Sequence, residues 1–148
     1  TDALLALMHL HAARFDARLD DAGELLLVGE QDRSRWDREL IAVGMDHLQR
    51  SARGERFSRY HAEAAIAAEH CLAASAAQTR WDEIVRLYAV LDRIAPSPLH
   101  TLHRAIAAPD RDPKAIDSVQ RRVLVEHDLR RPRALAGVAL ATDPAVWT

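Results

Sequence analysis

Cysteine is almost absent, since Cys71 is the single one in the chain. One thiol cannot close an internal disulfide, so the stapled scaffold of a small secreted domain is excluded. Cys71 lies in an Ala-rich stretch, where a buried, inert thiol is the expectation. Glycine is scarce too: five residues, none in Gly-x-Gly spacing, leave no phosphate-cradling loop of the Walker or dinucleotide-binding kind. Aromatic residues make up 5%, too few to favour a sheet-rich fold or a base-stacking surface. A basic excess is missing as well. Twenty Lys and Arg stand against 22 Asp and Glu, for a net charge of −2, and a domain built to grip phosphates shows the opposite balance. DNA contact by this chain is therefore not expected. No apolar run approaches the roughly 20 residues of a bilayer-spanning helix, and no signal peptide is visible. No membrane association is expected, and a cytoplasmic location is. Thr1 stands where a start Met would, so the chain reads as a piece of a longer protein or a processed product.

What is present favours helices. Hydrophobic residues reach 49% over 148 positions, enough for one domain with a real core. Much of that fraction is Ala, the best helix former. The expected fold is all-α: six or seven helices in antiparallel pairs, as an irregular tetratricopeptide-like array or a bundle, in a single domain over residues 1–148. A first helix is expected from about Asp2 to Phe15. Asp20-Asp21-Ala22-Gly23 reads as a turn, and Glu24 to Gly29 as an extended or irregular segment lying over the helices. Ser34 with Asp37 three residues on reads as a capping box opening a second helix to Arg50, with Trp36, Leu40, Ile41, Val43 and Leu48 inward. A third helix, Ser58 to Ala76, is rich in Ala and invites close helix approach. Thr79 with Asp82 reads as the cap of a fourth helix to Ile94, whose Ile84, Leu87, Tyr88 and Leu91 fall at i, i+3, i+4 and i+7. Ser97-Pro98 opens a fifth helix to about Ala108. Asp112-Pro113 and Pro132 open two more.

Chemistry finds little foothold. Eight His residues raise the question of a metal. His9 and His11 point to opposite faces of one helix, however, and His100 with His103 share a face but lack an evident third ligand. No His-Glu-x-x-His and no Gly-x-Ser-x-Gly occurs. Glu63 and Glu69 diverge on one helix and do not flank a common cleft. No catalytic residue, metal or cofactor is expected. An enzyme would have to assemble its site from His61, His70, His100 and His103. Arg50, Arg53, Arg56 and Arg59, and then Arg130, Arg131 and Arg133, form two basic clusters that read as solvated faces. The densest local signal is the run Gln31 to Ile41, where Asp32 and Arg33 would clamp the preceding irregular segment and Trp36 would plug the core.

The run Gln31-Asp32-Arg33-Ser34-Arg35-Trp36-Asp37 resembles a signature of bacterial extracytoplasmic-function (ECF) sigma factors that carry an extra helical, tetratricopeptide-like C-terminal domain. Three further stretches are similar to that domain, in the same order: Ala64 to Ala68 with His70; Thr79 to Ile84 leading to Leu87-Tyr88; and Pro96-Ser97-Pro98 before Arg104-Ala105-Ile106-Ala107. His103 stands where such sequences usually place Asn. The likeness runs over residues 1–108, and 109–148 diverge. The resemblance implies a non-catalytic regulatory or interaction domain acting in transcription initiation. Its partners would be sigma regions 2 and 4 of the same protein, with core RNA polymerase or a signalling protein beside them. It also implies that Gln31, Asp32, Arg33, Trp36, Asp37, Trp81, Tyr88 and Arg104 form structural or docking points. The alternative is a stand-alone helical adaptor with a groove for a protein or peptide.

Overall fold

The computed structural model describes residues 2–24, 26, 28–54 and 56–108. Among them are five α-helices and no sheet. They are α1 (Asp2–Ala12), α2 (Arg38–Ser51), α3 (Arg59–Leu72), α4 (Trp81–Ile94) and α5 (Pro98–Ala107). Short 3-10 turns at Phe15–Ala17, Arg33–Arg35 and Ala76–Gln78 shape the connections. The expected sixth and seventh helices, and the cluster of Arg130, Arg131 and Arg133, fall outside the described residues. No described helix is long and apolar enough to cross a membrane.

Alanine decides where the helices go. Ala62, Ala64, Ala67 and Ala68 are buried on several sides of α3, together with Ile66 and Cys71. A helix covered on so many sides belongs at the centre of a fold. Two cores meet on it. Ala67, Ala68 and Cys71 join Leu10, Ala13, Ala17, Trp36 and Ile41 on one side. Ala62 and Ile66 join Ile84, Leu91 and Ala107 on the other. Thus α1 and α2 pack as one pair, α4 and α5 as another, and α3 lies between them against α1 and α4. The fully buried Leu10, Ile84 and Leu91 are the largest pieces of the two cores.

The helix starts correct the capping expected from sequence in two places. Ser34 and Asp37 do not form a box. Instead two aspartates cap in succession. Asp32 accepts from the Ser34 amide (2.9 Å) and holds the 3-10 turn, and Asp37 accepts from the Glu39 and Leu40 amides (2.9 and 3.0 Å) and starts α2. The helix therefore begins four residues later than Ser34, and Trp36 precedes it. Nor does Thr79 cap α4; its hydroxyl donates back to the Ser75 carbonyl (3.2 Å), and Arg80 takes the cap position without a side-chain bond to the helix amides. Caps at Ser58 and Ser97 are where the sequence puts them. The Ser97 hydroxyl accepts from the Leu99 amide (3.3 Å), with Pro98 in the first helical turn. At Ser58 the partner is His61, whose Nδ1 accepts the Ser58 amide at 3.1 Å. The first and third helices end earlier than expected, at Ala12 and Leu72, and 3-10 turns follow at Phe15 and Ala76. Val43 is a further correction: it is exposed, and Gly44 takes the inward position.

Between α1 and α2 the chain makes a tight return. Gly23 has φ of +83°, the left-handed region where a side chain is strained. The Asp20 carboxylate receives the Ala22 and Glu24 amides, both at 2.9 Å. Backbone bonds from Asp20 to Glu24 (3.0 Å) and from Leu26 to Arg18 (2.8 Å) then fold the segment back over the end of α1, as an irregular stretch should.

Helices α1 and α2 approach closely at Gly44 because it has no side chain. A Cβ there would lie 2.8 Å from Cγ of Leu10, which is fully buried and close to the α1 backbone. Gly44→Ala gains helix propensity but forces α1 and α2 apart. The expected net effect is a loss of about 1–3 kcal/mol of stability, larger for Gly44→Val. Urea unfolding followed by circular dichroism measures it; an unchanged midpoint would mean that the two helices do not meet at this position.

Candidate functional site

The residues of the sequence signature come together as an elbow, 31–37, that ties three helix ends. Gln31 is buried, and its amide nitrogen donates to the Leu26 carbonyl (3.2 Å). It is Gln31, then, that holds the preceding irregular segment. Arg33 does something else. Its Nη1 donates to the carbonyls of His70 (2.5 Å) and Ala73 (2.9 Å), at the C-terminal end of α3. These carbonyls have no partner within their helix, and a cation there also meets the negative end of the helix dipole. The clamp expected on the preceding segment is thus a clamp across 37 residues of chain. The Asp37 amide closes the third end by donating to the Ala13 carbonyl (2.8 Å), just beyond α1.

Trp36 sits at the centre, 3% exposed. The guanidinium of Arg33 lies 4.5 Å from its ring centroid and that of Arg14 lies 5.9 Å away, distances at which cations are attracted to the indole face. Arg14 is 6% exposed. Its Nη2 donates to His11 Nδ1 (3.1 Å), while among the described residues no group accepts from its Nε and Nη1. Arg18 donates to the same His11 nitrogen at 3.3 Å. A nitrogen that accepts from two guanidinium groups cannot carry a proton, so His11 is neutral. Burial, and then the charges of Arg14 and Arg18, lower its pKa to about 4. His70 is lowered to about 4 as well, by burial first and then by Arg14, Arg33 and His11. Cys71, buried in the same core, has its thiol pKa raised by burial. It is held in the protonated, unreactive form that its apolar sequence context suggests.

The other signature residues lie apart from the elbow. Trp81 is half-buried at the start of α4; its indole N–H donates to the Ala76 carbonyl (3.1 Å), and its ring meets His70 edge-on at 5.5 Å. Glu69 and Arg80 pair beside it through two hydrogen bonds of 2.8 and 2.5 Å, joining α3 to α4. Tyr88 shares a hydrogen bond of 3.4 Å with His103, and burial pushes its hydroxyl pKa up to about 12. Arg104 pairs with Asp92 at 3.2 Å, linking α5 to α4.

The four His residues named as a conceivable enzyme site do not converge. His61 opens α3 and donates from Nε2 to the Ser51 carbonyl at the end of α2 (3.3 Å). His70 lies near the other end of α3. His100 donates to Ala95 and lies 4.0 Å from Glu63, and His103 is engaged with Tyr88. Among the described residues no three His, Cys, Asp or Glu side chains are grouped to hold a metal ion. Sequence reasoning missed Arg14 altogether and weighed His11 only as a metal ligand beside His9. Both stand in an ordinary helix end, and only the fold carries them to Trp36.

Residues 1–52 match the model of DUF6596, a family of unknown function. The DUF6596 match therefore takes in α1, the elbow and α2, and ends at the residue that caps α2. An uncharacterized protein of Rhizobium meliloti (strain 1021) is 40% identical over 109 residues, which cover 74% of this chain. The chain spans about a quarter (26%) of that relative's length. No solved structure matches the chain.

Two outcomes follow from the elbow. Trp36→Ala should cost about 3–5 kcal/mol, and Trp81→Ala less, because its ring is only half-buried. Arg33→Ala should cost about 1–3 kcal/mol by leaving two carbonyls without their donor, and Arg33→Lys should recover part of that loss. Denaturant titration reads all four; equal losses at Trp36 and Trp81 would contradict the burial difference. The second outcome is a pH dependence. His11 and His70 titrate lower in the folded chain than their ordinary 6.5, so protons bind the unfolded state more readily. Their contribution is fully present above about pH 6.5 and is lost as pH falls toward 4. The thermal midpoint should drop across that window, and less steeply in His70→Gln. A midpoint flat from pH 7 to 4.5 would mean that neither imidazole is held neutral.

Proposed function

We propose that this chain is a non-catalytic regulatory and interaction domain of an ECF-type sigma factor, acting in transcription initiation. The observation that carries the reading is the order of four motifs, 31–37, 64–70, 79–88 and 96–107, each similar to the helical C-terminal domain of such factors. Their places in the fold support it. The first is the elbow, the second is the centre of α3, and the third and fourth open α4 and α5. Each motif thus falls where the architecture needs particular residues, as expected of a scaffold signature. The helix contacts support the tetratricopeptide-like reading as well. Taken in chain order as two hairpins, α1–α2 and α3–α4, the first helices α1 and α3 touch more than α2 and α3 do, although the latter are adjacent in sequence. Stacked helical hairpins have this pattern. That the relative is about four times longer than the shared region suits a module attached to further domains. On this reading the sigma regions of the same polypeptide bind promoter and polymerase, and this domain modulates them or receives a signal.

A stand-alone adaptor is the second reading, favoured by an apolar groove between α2 and α3 beside the exposed ring of Phe57. One experiment separates the two: capture of core RNA polymerase by this chain alone and by the longer protein that contains it. The sigma-factor reading expects the longer protein to retain polymerase and this chain alone to retain little. If neither retains it, the sigma-factor reading fails and the adaptor reading stands.

A further inference from the structure

We propose that the groove between α2 and α3 docks an acidic amphipathic helix of a partner protein. The inference deepens the interaction-domain reading and rests on it. The groove encloses about 840 Å³ and is walled mainly by Ala42, Met45, Leu48, Phe57, His61 and Ala65. It exists because small residues line it where α2 and α3 make little contact. Phe57 is 60% exposed and stacks on His61 at 5.3 Å, so an aromatic anchor stands in water at the groove's edge. Met45 offers an adaptable apolar wall of the sort found at helix-binding surfaces. With 14 residues, α2 is roughly 21 Å long, enough to accompany three to four turns of a docked helix.

Charge selects the occupant. The turn that closes this end of the α2–α3 pair carries Arg50, Arg53, Arg56 and Arg59, all exposed. Arg50 is matched by Asp46 (2.8 Å) and Arg59 faces Glu63 (3.9 Å). Arg53 and Arg56 have no carboxylate within ion-pair distance among the described residues, and the groove's own acid, Asp46, is already matched. An apolar trough beside two unmatched guanidinium groups complements a helix with Leu-like anchors at i, i+3, i+4 and i+7 and acidic flanks. A nucleic-acid strand would use the arginines but not the trough, and the single exposed ring offers no stacking series.

The test uses the isotope-labelled chain and a synthetic helical peptide of about four turns with Leu anchors and Glu flanks. The same peptide with Lys in place of Glu, and a single-stranded oligonucleotide, are the comparisons. The expected result is that the Glu peptide shifts the amides of Met45, Phe57 and His61 and binds at least about tenfold more tightly than the Lys peptide, with weakening at high salt. Phe57→Ser should reduce binding at least about tenfold, and the double variant Arg53→Glu with Arg56→Glu should reverse the preference. Because those arginines are exposed and make no ion pair among the described residues, the charge variant stays informative should Phe57→Ser fail to fold. Equal binding of the two peptides, amide shifts elsewhere, stronger occupation by the oligonucleotide, or self-association through this face in sedimentation would each overturn the proposal. No polymerase is involved, so failure here leaves the sigma-factor reading standing, and failure of polymerase capture leaves the groove standing.

Discussion

The arrangement of the helices depends on Arg33. Its guanidinium reaches carbonyls of residues 70 and 73 while its carbon lies over the Trp36 ring. Helix ends are the weak points of any all-α fold, because four carbonyls at each C-terminus lack partners. Here one side chain meets two acceptors at the end of the central helix, and the neighbouring Asp37 serves both α1 and α2. Three helices are thus registered by seven consecutive residues. The indole fills the space between them, so helix orientation and core closure are set at the same place.

That solution carries an electrostatic cost. Arg14 and Arg33 lie against one ring with Arg18 nearby, and the Arg14 guanidinium is buried with His11 as its one hydrogen-bond partner among the described residues. Burial of an unpaired charge is unfavourable, and cation–π attraction offsets only about 0.5–2 kcal/mol of it. The imidazoles of His11 and His70 respond by staying neutral, and His11 becomes an acceptor shared by two arginines. A further positive charge in this volume would meet no compensating carboxylate among the described residues, so acid is expected to act on the elbow before it acts on the carboxylates. Asp2 and Asp32 have their pKa values lowered below 3.8, chiefly by hydrogen bonds to His47 and Ser34 respectively, so their contributions are lost only at lower pH.

Helix count over residues 2–108, the central Ala-rich helix, the buried Trp36 and Cys71, and the Ser97-Pro98 start were all legible in the sequence. They rest on local rules: periodicity, propensity and caps whose partner is three residues away. What escaped was set by distance in the chain. Ser34 matches a capping pattern as well as Asp37 does, and only the Asp37 amide's bond to Ala13 decides which of them begins the helix. Val43 has the hydrophobicity of a core residue, yet Gly44 takes the inward place because α1 approaches too closely for any side chain. Arg33 gave a signal of importance without a target, since its acceptors are 37 and 40 residues on. The His residues gave a signal of chemistry that the fold disperses into caps and helix-to-helix bonds.

The elbow and the groove lie at opposite ends of one helix pair. Because α2 runs away from the elbow and α3 runs back to it, the elbow fixes the start of α2 and the end of α3. At the far end, among the described residues, the hydrogen bond that joins the two is the long one from His61 to the Ser51 carbonyl. A rigid end and a lightly joined end on the same hairpin suit a surface that must accept another helix. Small residues at 42, 52 and 65 leave room, and the anchor at the other end keeps the pair from separating as the room is filled. The signature residues of the elbow then act through structure, while on the docking proposal contact with a partner falls to Phe57, which no motif marks, and to Arg53 and Arg56, which the sequence marks only as part of a basic cluster.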